Sequence, residues 1–199
     1  MKRTKRSATV ERTTKETSVR LTLCLDGAGE CEIRTPVGFL NHMLELFCRH
    51  GRFDMKVEAS GDVQVDAHHT VEDVGIVLGQ ALKAALGECR GIVRFADARV
   101  PMQDSLAAVA VDISGRPELV YNAVYPTQKV GDFDVELIEE FLQALCNNAL
   151  VTLHVDMVRG GNSHHVAEAI FKAVARALKE AVALDPEAAG EVPSTKGAL

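Results

Sequence analysis

The sequence predicts an α+β fold made of two similar βββαβα halves, with sheets packed against helices, and three observations carry that expectation. The tetrad His-His-x-x-Glu occurs twice, in "DAHHTVED" (residues 66–73) and in "NSHHVAEA" (residues 162–169), ninety-six residues apart. The same order of strand-like and helix-like apolar spacings runs through the chain on either side of position 90. Setting His68 against His164 then gives identities at His68/His164, His69/His165, Glu72/Glu168, Ala81/Ala177, Leu82/Leu178 and Lys83/Lys179, six in sixteen positions. Self-similarity at a fixed offset is the mark of a repeated unit. The chain therefore divides into a first half at residues 1–90 and a second at residues 91–199, which together form one functional unit.

Element by element, "ATVERTT" (residues 8–14), "SVRLTLCLDG" (18–27) and "GECEIRT" (29–35) alternate apolar with polar side chains, as half-buried strands do. "DGAG" between the second and third reads as a hairpin turn. After Pro36, "VGFLNHMLELFCRH" (37–50) has helical spacing, "FDMKVEAS" (53–60) reads as a strand and "HHTVEDVGIVLGQALKAAL" (68–86) as a long helix. The pattern restarts with "IVRFADARV" (92–100), "LAAVAVDI" (106–113) and "ELVYNAVY" (118–125) as strands, "ISGRP" (113–117) turning the last two. "FDVELIEEFLQALCNNA" (133–149) reads as a helix, "VTLHVDMV" (151–158) as a strand and "HHVAEAIFKAVARALKEAV" (164–182) as the final helix. The shorter helices align Leu44 with Leu142 and Cys48 with Cys146, a register that sets His42 opposite Glu140.

Composition narrows the class. With 199 residues, 47% hydrophobic and 25% charged, the chain is long enough to bury a sizeable core. It has no apolar run of the roughly 20 residues that a spanning helix needs and no secretory leader at its start, so it is expected to be soluble and cytoplasmic, without a membrane partner. The net charge of -6 speaks against a nucleic-acid surface. "KRTKR" (2–6) is a basic exception, expected to be a solvated terminus. Five cysteines, odd in number and without a C-x-x-C pair, indicate reduced packing residues rather than a disulfide framework or zinc ribbon.

The tetrads carry chemistry. At about 100° per residue, His68 and Glu72 share one helix face while His69 points about a quarter-turn away; His164, Glu168 and His165 repeat the arrangement. Each tetrad thus offers a chelating pair and a histidine aimed elsewhere. A ligand set of imidazoles and carboxylates without thiolate suits Mn²⁺, Fe²⁺, Co²⁺, Ni²⁺ or Zn²⁺, and disfavours structural zinc. Adding His42 and Glu140 gives eight candidate ligands, enough for two ions with open positions. Taken singly, a His-His pair at a helix start is a capping or solvent-exposed pair; the matched glutamates in both copies favour metal. Asp66 and Asp73, which flank the first tetrad, are candidates either to orient the imidazoles or to cap the helix.

"DAHHTVED", "GFLNHMLELFCRHGRFD", "TLHVD", "NSHHVAEAIFKAVARALK" and "PSTKG" together resemble the imidazoleglycerol-phosphate dehydratase family of histidine biosynthesis, in order and at compatible spacings over nearly the whole chain. The resemblance implies a pair of βββαβα halves, two Mn²⁺ per active site and assembly of twenty-four subunits with sites where subunits meet. Residue by residue it implies His42, His68, His69, Glu72, Glu140, His164, His165 and Glu168 as metal ligands; the position of Glu140 holds histidine in some relatives. It implies Arg94, Arg116, Lys172, Ser194 and Lys196 as holders of a substrate phosphate, which turns the tail "EVPSTKGAL" (191–199) from an expected disordered segment into part of the site. As types they are apt: arginine forks and lysine charges suit an anion. Each alone would pass for a surface residue.

The implied reaction removes water from D-erythro-imidazoleglycerol 3-phosphate to give imidazole acetol phosphate. The hydrogen to be lost has no adjacent carbonyl, so the imidazole ring must be the electron sink, with cations at its nitrogens. Glu16 falls on the family's acid/base position. The rival classes are a dinuclear metallohydrolase, which needs bridging carboxylates that only some of these residues could supply and a nucleophilic water, and a non-catalytic metal-binding assembly, which would not need Glu16 or the Arg94, Arg116 and Lys196 set. His50 and His154 are expected to pack or to hydrogen-bond behind the ligands. The length suggests a monofunctional chain without a fused phosphatase domain.

Overall fold

The computed structural model describes residues 5–188 and 190–197. Its first half runs β1 (Ser7–Thr13), β2 (Thr17–Cys24), β3 (Cys31–Arg34), α1 (Gly38–Gly51), β4 (Asp54–Gly61) and α2 (His68–Leu86). The second runs β5 (Phe95–Met102), β6 (Ser105–Asp112), β7 (Glu118–Asn122), the short β8 (Lys129–Val130) and β9 (Phe133–Asp134), α3 (Leu137–Ala149), β10 (Thr152–Arg159) and α4 (Ser163–Ala181). The α+β class and the paired halves stand as expected.

The two four-stranded sheets have the same topology, β1-β2-β4-β3 and β5-β6-β10-β7. In each, the outermost strand pairs parallel with the strand that follows the short helix, and the other pairings are antiparallel. Strand β2 buries Val19, Leu21 and Leu23 on one face and turns Ser18 and Arg20 to solvent; β6 buries Ala107, Val109 and Val111 likewise. The helices fill the space between: α1 and α2 cover the first sheet, α3 and α4 the second, and the layers meet with α1 on α4 and α2 on α3. Helices α1 and α3 also end alike, each on a left-handed residue (Arg52, φ 57; Leu150, φ 57) whose N–H returns to the carbonyl of Cys48 or Cys146.

The halves interlock at close range. On α2, a Cβ on Gly75 would stand 2.7 Å from the carbonyl oxygen of Phe141, and one on Gly79 would stand 2.6 Å from that of Leu145. Only hydrogen fits at either position, so this pair of glycines sets the α2–α3 approach.

Several local expectations change. Neither "DGAG" nor "ISGRP" closes a hairpin: β4 inserts between β2 and β3, as β10 does between β6 and β7. The first of these loops instead wraps the Asp54 carboxylate, whose Oδ1 accepts from the N–H groups of Ala28, Gly29 and Glu30 at 2.7–3.1 Å. The second half adds the β8–β9 ribbon, with Gly131 at φ 60, where helix was expected from Phe133. Phe133 has helical spacing to Leu137, yet it is buried against Phe39 at a ring separation of 5.0 Å and α3 starts four residues later. Strand β5 starts at Phe95 rather than Ile92 because Arg94 is left-handed (φ 78), and Val93 and Arg94 donate instead to carbonyls at the end of α4.

The basic N-terminal run lies partly outside the described residues. Within it Arg6 is no frayed side chain: it pairs with Asp26 at 2.7 Å and donates to the carbonyl of Val182 at 2.7 Å. Cys48 and Cys146 are packing residues, whereas Cys31 is exposed.

Candidate metal and anion site

Helix α4 presents His164 and Glu168 one turn apart, and α1 lays His42 across them. Glu168 Oε1 lies 3.0 Å from His42 Nε2 and 3.1 Å from His164 Nε2, while its Oε2 accepts from Lys172 Nζ at 2.5 Å. One ligand atom from each of His42, His164 and Glu168 falls within 4.8 Å of the others, the spacing a single cation spans. Partial burial alone would raise the Glu168 carboxyl, but hydrogen bonds from Lys172, His42 and His164 bring it down to about 2. The group is thus a carboxylate facing two imidazole nitrogens, a donor set that fits a divalent cation. A cavity of about 780 Å³ opens over His42 and His164, walled by Phe39, Val65, Asp66 and Phe133.

The N-termini of the long helices are locally built to hold their histidines. Asn162 caps α4, its side chain accepting from the N–H of His164 and of His165. Asp66, one residue before the Ala67 N-cap of α2, accepts from the N–H of His68 at 2.8 Å. Asp73 neither caps nor orients: it is buried, bound by Arg12 Nε at 2.8 Å and by the Thr17 hydroxyl, tying α2 to β1 and β2.

The outward histidines have carboxylate partners that spacing did not reveal. His69 Nδ1 lies 3.0 Å from Asp62, just past β4, and His165 Nδ1 lies 2.9 Å from Asp104, in the β5–β6 turn. The Asp62 hydrogen bond holds the His69 pKa above its ordinary value. Asp104 is 61 residues from His165 and Asp62 is 7 residues from His69 across the loop that precedes α2, and neither pair shares a helix face.

The remaining ligand candidates stand apart. His68, Glu72 and Glu140 do not converge with a third group as His42, His164 and Glu168 do, among the described residues. His68 and Glu72 are half-buried on α2, and Glu140 is exposed on α3. Glu16 is exposed in the β1–β2 turn, its N–H donating to the Thr14 hydroxyl at 3.1 Å, and its charge is felt at His69.

A second cavity, of about 730 Å³, gathers Arg94, Arg116, Ser194 and Lys196. Arg94 is pinned: Nε and Nη2 donate to Asp112 at 2.8 and 3.3 Å, and Nη1 donates to the Pro193 carbonyl at 2.7 Å, which draws the C-terminal tail onto β5. The tail is therefore tied to the chain as far as Pro193, with further bonds from Gly91 N–H to the Glu191 carbonyl and from Arg90 to the Gly190 carbonyl. Its conformation is local, Ser194 accepting from the N–H of Lys196 and of Gly197. Lys172 does not line this cavity; it stays at Glu168, its Nζ also 3.3 Å from Met102 Sδ.

His50 is half-buried at the end of α1, where burial and the neighbouring Lys172, Arg176 and Arg49 charges lower its pKa. His154 departs from expectation: it is exposed on β10 between Ala110 and Val120 and neither packs nor supports a ligand, among the described residues.

Comparison with known proteins adds three findings. Residues 35–178 match the family model described as imidazoleglycerol-phosphate dehydratase. The imidazoleglycerol-phosphate dehydratases of Azorhizobium caulinodans and Geobacter metallireducens are 59% and 58% identical over 194 residues, covering 98% of this chain and 98% and 99% of theirs. The crystal structure of imidazoleglycerol-phosphate dehydratase from Staphylococcus aureus superposes with a TM-score of 0.82 at 44% identity over 90% of this chain and 99% of that one. The Pyrococcus furiosus structure does so with 0.82 at 37% identity, over 96% and 100%. No helix is long and apolar enough to cross a membrane, among the described residues.

Proposed function

This chain belongs to the imidazoleglycerol-phosphate dehydratase family, and from that premise we propose that it is the hydro-lyase of histidine biosynthesis that converts imidazoleglycerol phosphate to imidazole acetol phosphate with two Mn²⁺ per active site. The observation that carries the metal reading is the convergence of His42, His164 and Glu168 from opposite halves of the chain within 4.8 Å. An anionic carboxylate beside two imidazole nitrogens is a poor structural ion pair but a good cation cradle. His68, His69, Glu72, Glu140 and His165 are the further ligands in this reading. Among the described residues they do not close a second cradle within one subunit, and in this reading the sites are completed where subunits meet, in an assembly of twenty-four in the cytoplasm.

Bound there, Mn²⁺ would draw electron density from the substrate's imidazole ring, making it the sink for the C–H electrons. The chain supplies the rest. Arg94, Arg116, Ser194 and Lys196 offer charged and hydroxyl donors to the phosphate, and Lys172 adds a cation beside the ligand Glu168. Glu16, exposed and without a side-chain hydrogen bond among the described residues, takes a proton from the substrate carbon and returns one to the departing hydroxyl.

The test is direct. Purified protein loaded with Mn²⁺ is expected to form imidazole acetol phosphate from imidazoleglycerol phosphate, to lose that activity on chelation and to regain it when the metal returns. Inactivity of the assembled, metal-loaded protein would overturn the dehydratase reading; activity indifferent to chelation would overturn the metal part alone.

A further inference from the structure

We infer that Asp62 and Asp104 are positioning residues that fix which nitrogen His69 and His165 present to a metal. The inference rests on the metal reading above and adds to it two residues outside the ligand set.

The geometry gives each aspartate one task. A carboxylate only accepts hydrogen bonds, so Asp62 at 3.0 Å and Asp104 at 2.9 Å require the imidazole proton to sit on Nδ1. The lone pair is then on Nε2, at the far end of the ring, in both histidines. Without such a partner either tautomer and either ring flip is open, and a ligand nitrogen would be defined only part of the time.

Asp104 is itself held. Ser105, buried, donates its hydroxyl to Asp104 Oδ1 at 3.1 Å, and Gly161 N–H donates to that hydroxyl at 3.4 Å. Gly161 also clears the space: a Cβ there would lie 2.4 Å from Asp104 Oδ2. The glycine immediately before the Asn162 cap of α4 thus lets the β5–β6 turn reach across to His165.

The two contacts are not copies of one another. Asp104 comes from the turn after the first strand of its half, whereas Asp62 follows β4, the fourth strand of the other. Duplication alone therefore does not account for both; the halves reach the same hydrogen bond by different residues. The counterpart of the Asp104 turn is the β1–β2 turn, and it carries Glu16. In the second half the turn carboxylate is committed to a histidine. In the first half Asp62 serves His69, and the Glu16 side chain has no hydrogen-bond or ion-pair partner among the described residues.

The experiment measures Mn²⁺ binding to the metal-free, assembled protein by the electron paramagnetic resonance signal of free Mn²⁺. Asp62→Ala, Asp104→Ala, Asp62→Asn, Asp104→Asn and Gly161→Ala are compared with the unmodified chain. The alanine variants are expected to lose roughly 10- to 100-fold in affinity. The asparagine variants, whose side-chain oxygen still accepts from Nδ1–H, should recover most of it, and Gly161→Ala should resemble Asp104→Ala. Unchanged affinity in folded alanine variants overturns the inference. So does an asparagine variant as weak as its alanine counterpart, a comparison that Gly161→Ala supports if an alanine variant fails to fold. A wild-type chain that binds no Mn²⁺ overturns the metal reading instead.

Discussion

Glu168 on α4 and His42 on α1 stand 3.0 Å apart, carboxylate oxygen to imidazole nitrogen, although 126 residues separate them in the chain. Their meeting depends on α1 of one half lying against α4 of the other. The site is thus a product of how the halves interlock, and its charge state is linked to the stability of that contact.

In metal-free protein that linkage has a definite sign. The Glu168 carboxyl is lowered from 4.5 to about 2 on folding, so the unfolded chain binds more protons between those values and the contribution is full above about pH 4.5. It drains away as pH falls through the folded value. The side chain is 10% exposed, and a shift of this size corresponds to about 3 kcal/mol. Urea denaturation at pH 7 is expected to show Glu168→Gln less stable by about that amount, with a flatter acid limb from pH 5 to 2. Parallel curves for the two proteins would contradict the assignment.

Much of this was legible in the sequence, and what was not has a physical reason. The His-His-x-x-Glu repeat pointed to paired halves because helix periodicity fixes which ligands share a face. The pairing of β4 between β2 and β3 was hidden, since strand alternation says which face is buried but not which neighbour a strand takes. Phe133 misled because one buried aromatic fits helix and ribbon spacing equally. Asp104 was invisible because the fold alone brings it to His165, Asp62 because a loop rather than a helix or strand period sets its approach to His69, and His154, within a motif-like stretch, is exposed.

The α2–α3 contact gives a prediction about packing. Gly79→Ala places a methyl 2.6 Å from the Leu145 carbonyl oxygen and 2.8 Å from Asn148 Cβ, and backbone cannot swing aside as a side-chain tip can. A loss of roughly 1–3 kcal/mol is expected despite alanine's better helix propensity. Chemical denaturation decides it, and a gain in stability would show that α2 and α3 are free to part.

Thr70 makes the opposite case. It is fully buried in the first turn of α2, and its hydroxyl has no hydrogen-bond partner among the described residues. Replacing it with the isosteric valine removes an unsatisfied polar group, so Thr70→Val should be neutral or more stable by about 1 kcal/mol. A clear loss of stability would mean the hydroxyl is engaged in the assembled protein.

Two arginines of the anion pocket should separate by readout. Arg94 ties Asp112 and the Pro193 carbonyl, whereas the Arg116 guanidinium has no partner among the described residues. Arg116→Ala is expected to raise KM for the phosphorylated substrate by about 10- to 100-fold, the worth of one charge-assisted hydrogen bond, with little change in melting temperature. Arg94→Ala should raise KM and also lower stability, loosening the tail that carries Ser194 and Lys196. Equal stability losses in both variants would deny Arg116 a ligand role.

Glu16 provides the sharpest separation of chemistry from metal binding. Its carboxylate hangs from the β1–β2 turn, close enough for its charge to be felt at His69 yet outside the Asp62 hydrogen bond. Glu16→Gln keeps the size and removes only the ability to exchange a proton. Loss of general acid–base help costs about 10²- to 10⁴-fold in kcat, so a fall of that size is expected with KM and Mn²⁺ content held near wild type. Steady-state kinetics with metal analysis on the same samples checks both halves of the statement. If Mn²⁺ is lost along with activity, Glu16 is acting as a ligand; if kcat is unmoved, the proton passes through another group.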